Sequence, residues 1–201
     1  MKKLLLSAFG LSLGMTAFGQ LPVSQTPENR HAILEEFTGI NCQFCPDGHA
    51  VGNSLAASNP GVFHKIHIHA GSFANTTPDL RTTDGTTIAN NSGLSGYPAG
   101  GINRQGGSWG VGRGNWGGLT TTVTGQASYV NVAVEGSVNA TTRQLTVDAE
   151  VYYTNLGAAA ATEYLVVALV QNNIPGPQID AGNYNPTGWK CCLLYTSDAA
   201  D

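Results

Sequence analysis

The chain changes texture about two thirds of the way along. From Arg30 to about Ala127, strand-like and helix-like patterns alternate among many glycines; from Ser128 to about Asn173, strand follows strand. In the first part AILEEF, residues 32–37, reads as a short strand. Phe44, Val51 and Leu55 then fall at i, i+7 and i+11, one face of a helix that Asn59-Pro60-Gly61 should end. VFHKIHIH, residues 62–69, alternates strictly and predicts a second strand. Asp84 is placed to cap a short helix running to Asn91, and GYPAGGINR, residues 96–104, reads as a proline turn entering a strand. Trp116, Leu119, Val123 and Ala127 have helical spacing and predict a closing helix.

In the second part Val130, Val132 and Val134 alternate with Asn131, Ala133 and Glu135. Leu145, Val147, Ala149, Val151 and Tyr153 repeat the pattern beyond a turn at residues 139–143. The continuous apolar run 164–170 suits a more buried strand. Three strands do not close a sandwich and should leave an edge unpaired, and three cannot form a membrane-spanning barrel.

The two ends change the accounting. Residues 1–19 read as a signal peptide: Lys2 and Lys3 precede an apolar stretch, and Ala17 and Gly19 stand at −3 and −1 of a cut before Gln20. No later stretch is long enough for a transmembrane helix in the mature chain. CLLYTSDAAD, residues 192–201, back-translates to a transposase-type sequencing adapter, so the natural sequence is expected to stop at about Cys191. Between Gln20 and Cys191 there are seven Lys/Arg and eleven Asp/Glu, a net charge of −4. With no basic patch, nucleic acid is not an expected partner, nor is an anionic membrane surface. The domains expected are therefore 20–127, an α/β unit, and 128–191, a β-rich unit cut short.

Of four cysteines, Cys192 falls in the adapter stretch and Cys191 borders it, which leaves Cys42 and Cys45 in FTGINCQFCPDGH, residues 37–49. One Cys-x-x-Cys is not a disulfide-stapled scaffold. Strand, Cys-x-x-Cys opening a helix, then strand is the order of a thioredoxin-like fold. Near a helix N-terminus, unpaired N–H groups and the helix dipole favour thiolate at the first sulfur, and two intervening residues bring the second within reach of a mixed disulfide. Cys42 is then the nucleophile and Cys45 the resolving thiol. Likeness to thioredoxins further implies that Glu36, six residues before Cys42, is the buried acid serving the second cysteine. It also implies that Pro98 is the cis-proline beside the dithiol. Asn41 replaces the usual tryptophan before the first cysteine, and Gln43-Phe44 replaces Gly-Pro.

FTGINCQFCPDGH, with IHIHAGSF, GYPAGGINR and EYLVVALVQNNIPGPQ, resembles the twenty-eight-kilodalton outer-membrane protein (Omp) family of Bacteroidetes. The resemblance implies an exported protein of the periplasm, outer-membrane surface or medium. It implies an α/β thioredoxin-like domain followed by a β-rich domain, here an incomplete β-sandwich of Ig-like type.

Three functional readings stand at this point. The first is a thiol-disulfide oxidoreductase acting on protein thiols or disulfides through Cys42, Cys45, Glu36 and Pro98, without cofactor or metal. The second is a surface binding or adhesion module, engaging cell-surface proteins, whose Cys42–Cys45 disulfide is inert. The third is a Cys/His metal site. Cys45 and His49 share a helix face, but His64 points away from His67 and His69 along a continuous strand, so these histidines are expected at edges or in loops. Gly-x-Gly-x-x-Gly in GRGNWG, residues 112–117, is read as loop chemistry, since no apolar strand precedes it and eleven glycines crowd residues 93–118.

Overall fold

The computed structural model describes residues 21–159, 162–174, 177–180, 182 and 190–198; of residues 173 and 190–198 it describes the backbone. The signal-peptide expectation for residues 1–19 lies outside the described residues.

Strands β1 (Ala32–Thr38), β2 (Phe63–His69), β3 (Ala99–Ile102) and β4 (Val111–Gly112) form one sheet in the order β2-β1-β3-β4. β1 runs parallel to β2 and antiparallel to β3. Helix α1 (Cys45–Ser58) connects β1 to β2, α2 (Thr83–Asn91) precedes β3, and α3 (Trp116–Thr124) follows β4. A strand that is apolar on both faces needs cover on both, and β1 has it. Ala32 and Leu34 join Phe63, Ile102, Trp116 and Val123 in a core closed by Val51, Leu55 and Leu119. Phe37 points the other way, into a core with Ile68, Ala70, Ala89, Ala99 and Trp109. The Trp116 indole N–H, fully buried, is shared between the carbonyls of Gly100 and Val111, each at 3.2 Å.

Of the predicted α1 face, Val51 and Leu55 pack against the core and Phe44 does not. Phe44 is the N-cap and half exposed, while Cys45, Pro46, Gly48, His49 and Gly52 are buried. A Cβ on Gly48 would stand 2.6 Å from Glu36 Oε1 and 2.9 Å from Pro98 Cβ; one on Gly52 would stand 3.3 Å from Leu34 Cδ2. Two missing side chains thus let the helix lie close on the sheet, with Val51 and Leu55 packing beside that contact. α2 is capped by Thr82, whose hydroxyl accepts from the Gly85 N–H at 2.9 Å, and Asp84 sits in the first turn. The GRGNWG stretch forms a 3-10 turn leading into α3.

The β-rich part begins with β5 (Val130–Asn139) and β6 (Gln144–Tyr153), an antiparallel hairpin paired from Val130↔Tyr153 to Asn139↔Gln144. Its turn is held by Asn139 Oδ1, which accepts from the N–H groups of Thr141 and Thr142 at 3.0 Å each. The two halves meet where Ser128 N–H donates to Glu28 O, next to Arg30 N–H donating to Gln126 O within the first half. β7 (Val166–Ile174) pairs antiparallel with β8 (Lys190–Asp198), and Ala168 packs against the Phe37 core. Most of β8 falls in residues 192–201, the stretch read above as adapter translation. The run expected to be buried is not: Tyr164, Val166, Leu169 and Val170 are all exposed. Among the described residues the β-rich part forms two separate two-stranded sheets, and neither has a second layer to cover it fully.

Candidate functional site

Between β1 and α1 the chain makes a tight turn. Cys42 N–H donates to Gly39 O at 3.1 Å and Cys45 N–H to Cys42 O at 3.2 Å, which brings the two Cα atoms to 5.4 Å. Cys42 and Cys45 are joined as a disulfide. Cys45 is the first residue of α1, and Cys42 lies in the turn just ahead of it.

The turn is covered from two sides. Gly39 is pressed against the 3-10 turn Ser72–Ala74, where a Cβ would meet Phe73 C at 2.5 Å, and Asn41 N–H donates to Phe73 O. From beyond β7, the Gln178 side-chain amide donates to the carbonyls of Gly39 at 3.2 Å and Cys42 at 3.0 Å, while Ile179 N–H donates to Ile40 O at 3.0 Å. Residues 177–180 thus lie as a strap on the cysteine turn, and Cys42 is 2% exposed, Cys45 0%. The half-exposed rings of Phe44 and Phe73 flank the turn in the sequence and in space respectively.

Beneath the helix start lies a polar cluster. Alternation along β1 places Leu34, Glu36 and Thr38 on the α1 face, and β2 runs parallel in the register Glu36↔His67 and Thr38↔His69. Register partners on one face are nearest neighbours, so Glu36 and His67 meet. α1 brings His49, one turn after Cys45, down onto both. Glu36 Oε1 is 3.5 Å from His49 Nε2 and Glu36 Oε2 is 3.2 Å from His67 Nε2. The two imidazoles stack with centroids 4.5 Å apart and planes 9° apart, and Thr38 Oγ1 lies 3.0 Å from His49 Nε2. Glu36 is 0%, His49 1% and His67 3% exposed. An isolated carboxylate at this depth would cost several kcal/mol, which its two imidazole neighbours offset by sharing a proton with it or by polarising toward it.

The neighbouring acid goes elsewhere. Glu35 faces the opposite side of β1 and receives two hydrogen bonds from Arg104, at 2.7 and 2.6 Å. Arg104 in turn lies over the Trp109 ring, 5.5 Å from its centroid.

Of the residues singled out in the sequence, the fold brings Glu36 beneath the start of α1, against Gly48. Pro98, whose peptide bond with Tyr97 is cis, also contacts Gly48 and lies immediately before β3. The expectation that the histidines lie at edges or in loops holds for His64, which is exposed and stacks on His31, with centroids 5.6 Å apart. It fails for His49, His67 and His69, which are buried. Alternation did separate His64 from His67 and His69. The grouping it missed is Glu36 with His49 and His67, which depends on the β1–β2 register and on the seating of α1.

The family profile described as "Outer membrane protein Omp28" matches residues 86–189. No curated protein matches the chain. Among solved structures, HBP35 of Porphyromonas gingivalis is similar over 84% of this chain and 57% of its own, with a TM-score of 0.62 at 16% identity. This chain therefore spans little more than half the length of that neighbour. A structural-genomics protein of Agrobacterium tumefaciens is similar over 86% of this chain and 74% of its own, with a TM-score of 0.49 at 13% identity.

Proposed function

The chain belongs to the Omp28 outer membrane protein family, exported and outer-membrane-associated, and from that premise we propose that Cys42 and Cys45 form a thioredoxin-type dithiol–disulfide site. Among the described residues no helix is long and apolar enough to cross a membrane. The observation that carries the proposal is the Cys42–Cys45 pair at the start of α1, a helix whose Gly48 and His49 pack on a buried Glu36 of a β2-β1-β3-β4 sheet. A cysteine pair at this point of a βαβ unit is where thioredoxin-like proteins place their redox motif.

In the reducing direction the Cys42 thiolate attacks a substrate disulfide. The substrate S–S bond breaks, a Cys42–substrate mixed disulfide forms, and the departing substrate sulfur takes up a proton. Cys45, deprotonated toward Glu36, then attacks Cys42 Sγ and releases the second substrate thiol. Two electrons pass from the protein dithiol to the substrate, and the protein is left with the disulfide seen here. Partial positive charge at the α1 N-terminus favours thiolate at Cys42, and the Glu36 cluster provides a local proton acceptor for Cys45.

A second reading draws on the strap. With Cys42 almost fully covered and Gln178 bonded to its carbonyl, the disulfide also suits a fixed clamp in a non-catalytic surface binding or adhesion module. The two readings separate on one measurement: the Cys42–Cys45 reduction potential together with reduction of insulin disulfides, using Cys42→Ser as control. A potential near the thioredoxin range of about −270 mV with turnover above the control supports the redox site. A potential below about −300 mV with no turnover leaves the clamp.

A further inference from the structure

We propose that Glu36, His49 and His67 form a buried binding site for one divalent transition metal ion, zinc by the chemistry of the donors. The three residues come from β1, α1 and β2, their donor atoms lie within 4.8 Å of one another, and all three are at least 97% buried. Two imidazoles and one carboxylate are a donor set that zinc accepts, whereas calcium and magnesium prefer oxygen alone.

In the metal-free chain the cluster is an ion pair, with Glu36 Oε1 3.5 Å from His49 Nε2 and Oε2 3.2 Å from His67 Nε2. A tetrahedral zinc with bonds of about 2.0–2.1 Å needs ligand–ligand edges of about 3.3–3.4 Å. One carboxylate oxygen and one nitrogen of each ring, all within 4.8 Å of one another, reach those edges by small side-chain rotations. Thr38 Oγ1 is hydrogen-bonded to His49 Nε2 at 3.0 Å, a bond that metal binding at that nitrogen would replace, and a water would complete four-coordination. The imidazole rings stack in parallel and both present Nε2 to the Glu36 carboxylate, and the broad χ2 torsion of each ring leaves it free to adjust toward a shared ion. An ion held there would pin α1 to β1 and β2 immediately below the cysteine turn. None of its ligands is a cysteine, but an ion there would occupy Glu36, the proton acceptor assigned to Cys45 above. Metal content and the cobalt spectrum are read without thiol–disulfide turnover, so failure of one proposal is distinguishable from failure of the other.

The test uses the full chain with its disulfide intact, unfolded and refolded in the presence of zinc because the site is closed in the folded protein. After removal of free metal, one zinc per chain is expected by elemental analysis. The melting temperature should exceed that of the chelator-refolded protein by roughly 5–10 °C at hundredfold excess over Kd. Glu36→Gln and His67→Gln should each weaken binding at least a hundredfold, whereas His64→Gln, on the exposed face, should leave it unchanged. Cobalt(II) in place of zinc should give a tetrahedral visible spectrum without a sulfur-to-metal charge-transfer band, a readout that requires no variant to fold. Substoichiometric zinc after refolding, or full binding retained in the Glu36→Gln/His67→Gln double variant, overturns the proposal.

Discussion

Glu36 Oε2 lies 3.2 Å from His67 Nε2 because the two residues are register partners on the same face of parallel strands, beneath the first turns of α1. Removing either partner strands a buried polar group on the other, at a cost of roughly 3–5 kcal/mol. Glu36→Ala and His67→Ala should each destabilise the metal-free protein by about that much. In the double variant the effects should fall short of their sum by more than about 1 kcal/mol. Chemical denaturation in chelator measures all three; additivity within about 0.5 kcal/mol would mean that the pair is not energetically coupled.

Two helical glycines should respond to alanine with opposite signs. At Gly118 of α3 a Cβ meets nothing within 4 Å, so Gly118→Ala should stabilise by up to about 1 kcal/mol through helix propensity and a less free unfolded chain. At Gly48 the same methyl stands 2.6 Å from Glu36 Oε1 and 2.9 Å from the stiff Pro98 ring. Overpacking there costs about 1–3 kcal/mol, enough to outweigh the propensity gain. Thermal melts of the two variants decide it, and a Gly48→Ala protein more stable than the parent would show that α1 does not press on Glu36.

The strap should govern access to Cys42. Gln178→Ala deletes the donors to the Gly39 and Cys42 carbonyls while leaving the disulfide in place. Reduction by dithiothreitol, followed by mass spectrometry of trapped thiols, is expected to speed up roughly threefold to tenfold, as for the loss of about 1 kcal/mol of closing interaction. An unchanged rate would show that the strap does not limit attack on the disulfide.

Asp79 accepts from the Arg81 side chain at 2.9 and 2.7 Å and from its backbone N–H at 3.1 Å, and these bonds lower its pKa from 3.8 to about 2. A folded pKa below the unfolded one means that the contribution is present above about 3.8 and is lost as pH falls through about 2. The pair is exposed, so salt screens it and its effect on stability is small. Carboxyl NMR should place the Asp79 midpoint near 2, and Arg81→Gln should return it toward 3.8. A midpoint already at the ordinary value in the parent protein would contradict the pairing.

Much of the framework was written in local pattern. The alternation of residues 62–69, the helical spacing from Trp116 to Val123 and the hairpin around residues 139–143 all became elements close to where the pattern placed them. Each rests on side-chain periodicity within one element, which the chain carries without reference to any neighbour. Burial was harder to read. Phe44 looks like a core residue by spacing but lies half exposed at the N-cap of α1, ahead of the helix whose Gly48 and Gly52 press on the sheet.

The sequence by itself determined that Glu35 and Glu36 must face opposite ways, and that His64 must oppose His67. Only the tertiary structure decided which acid would be paired with arginine at one face and which would be buried among histidines at the other. Three things had to be set for Glu36, His49 and His67 to converge beneath Cys42 and Cys45: the parallel register of β1 on β2, the depth at which two glycines let α1 settle, and the direction of its first turn. All three are relations between segments 13 to 31 residues apart, and no spacing within one segment encodes them.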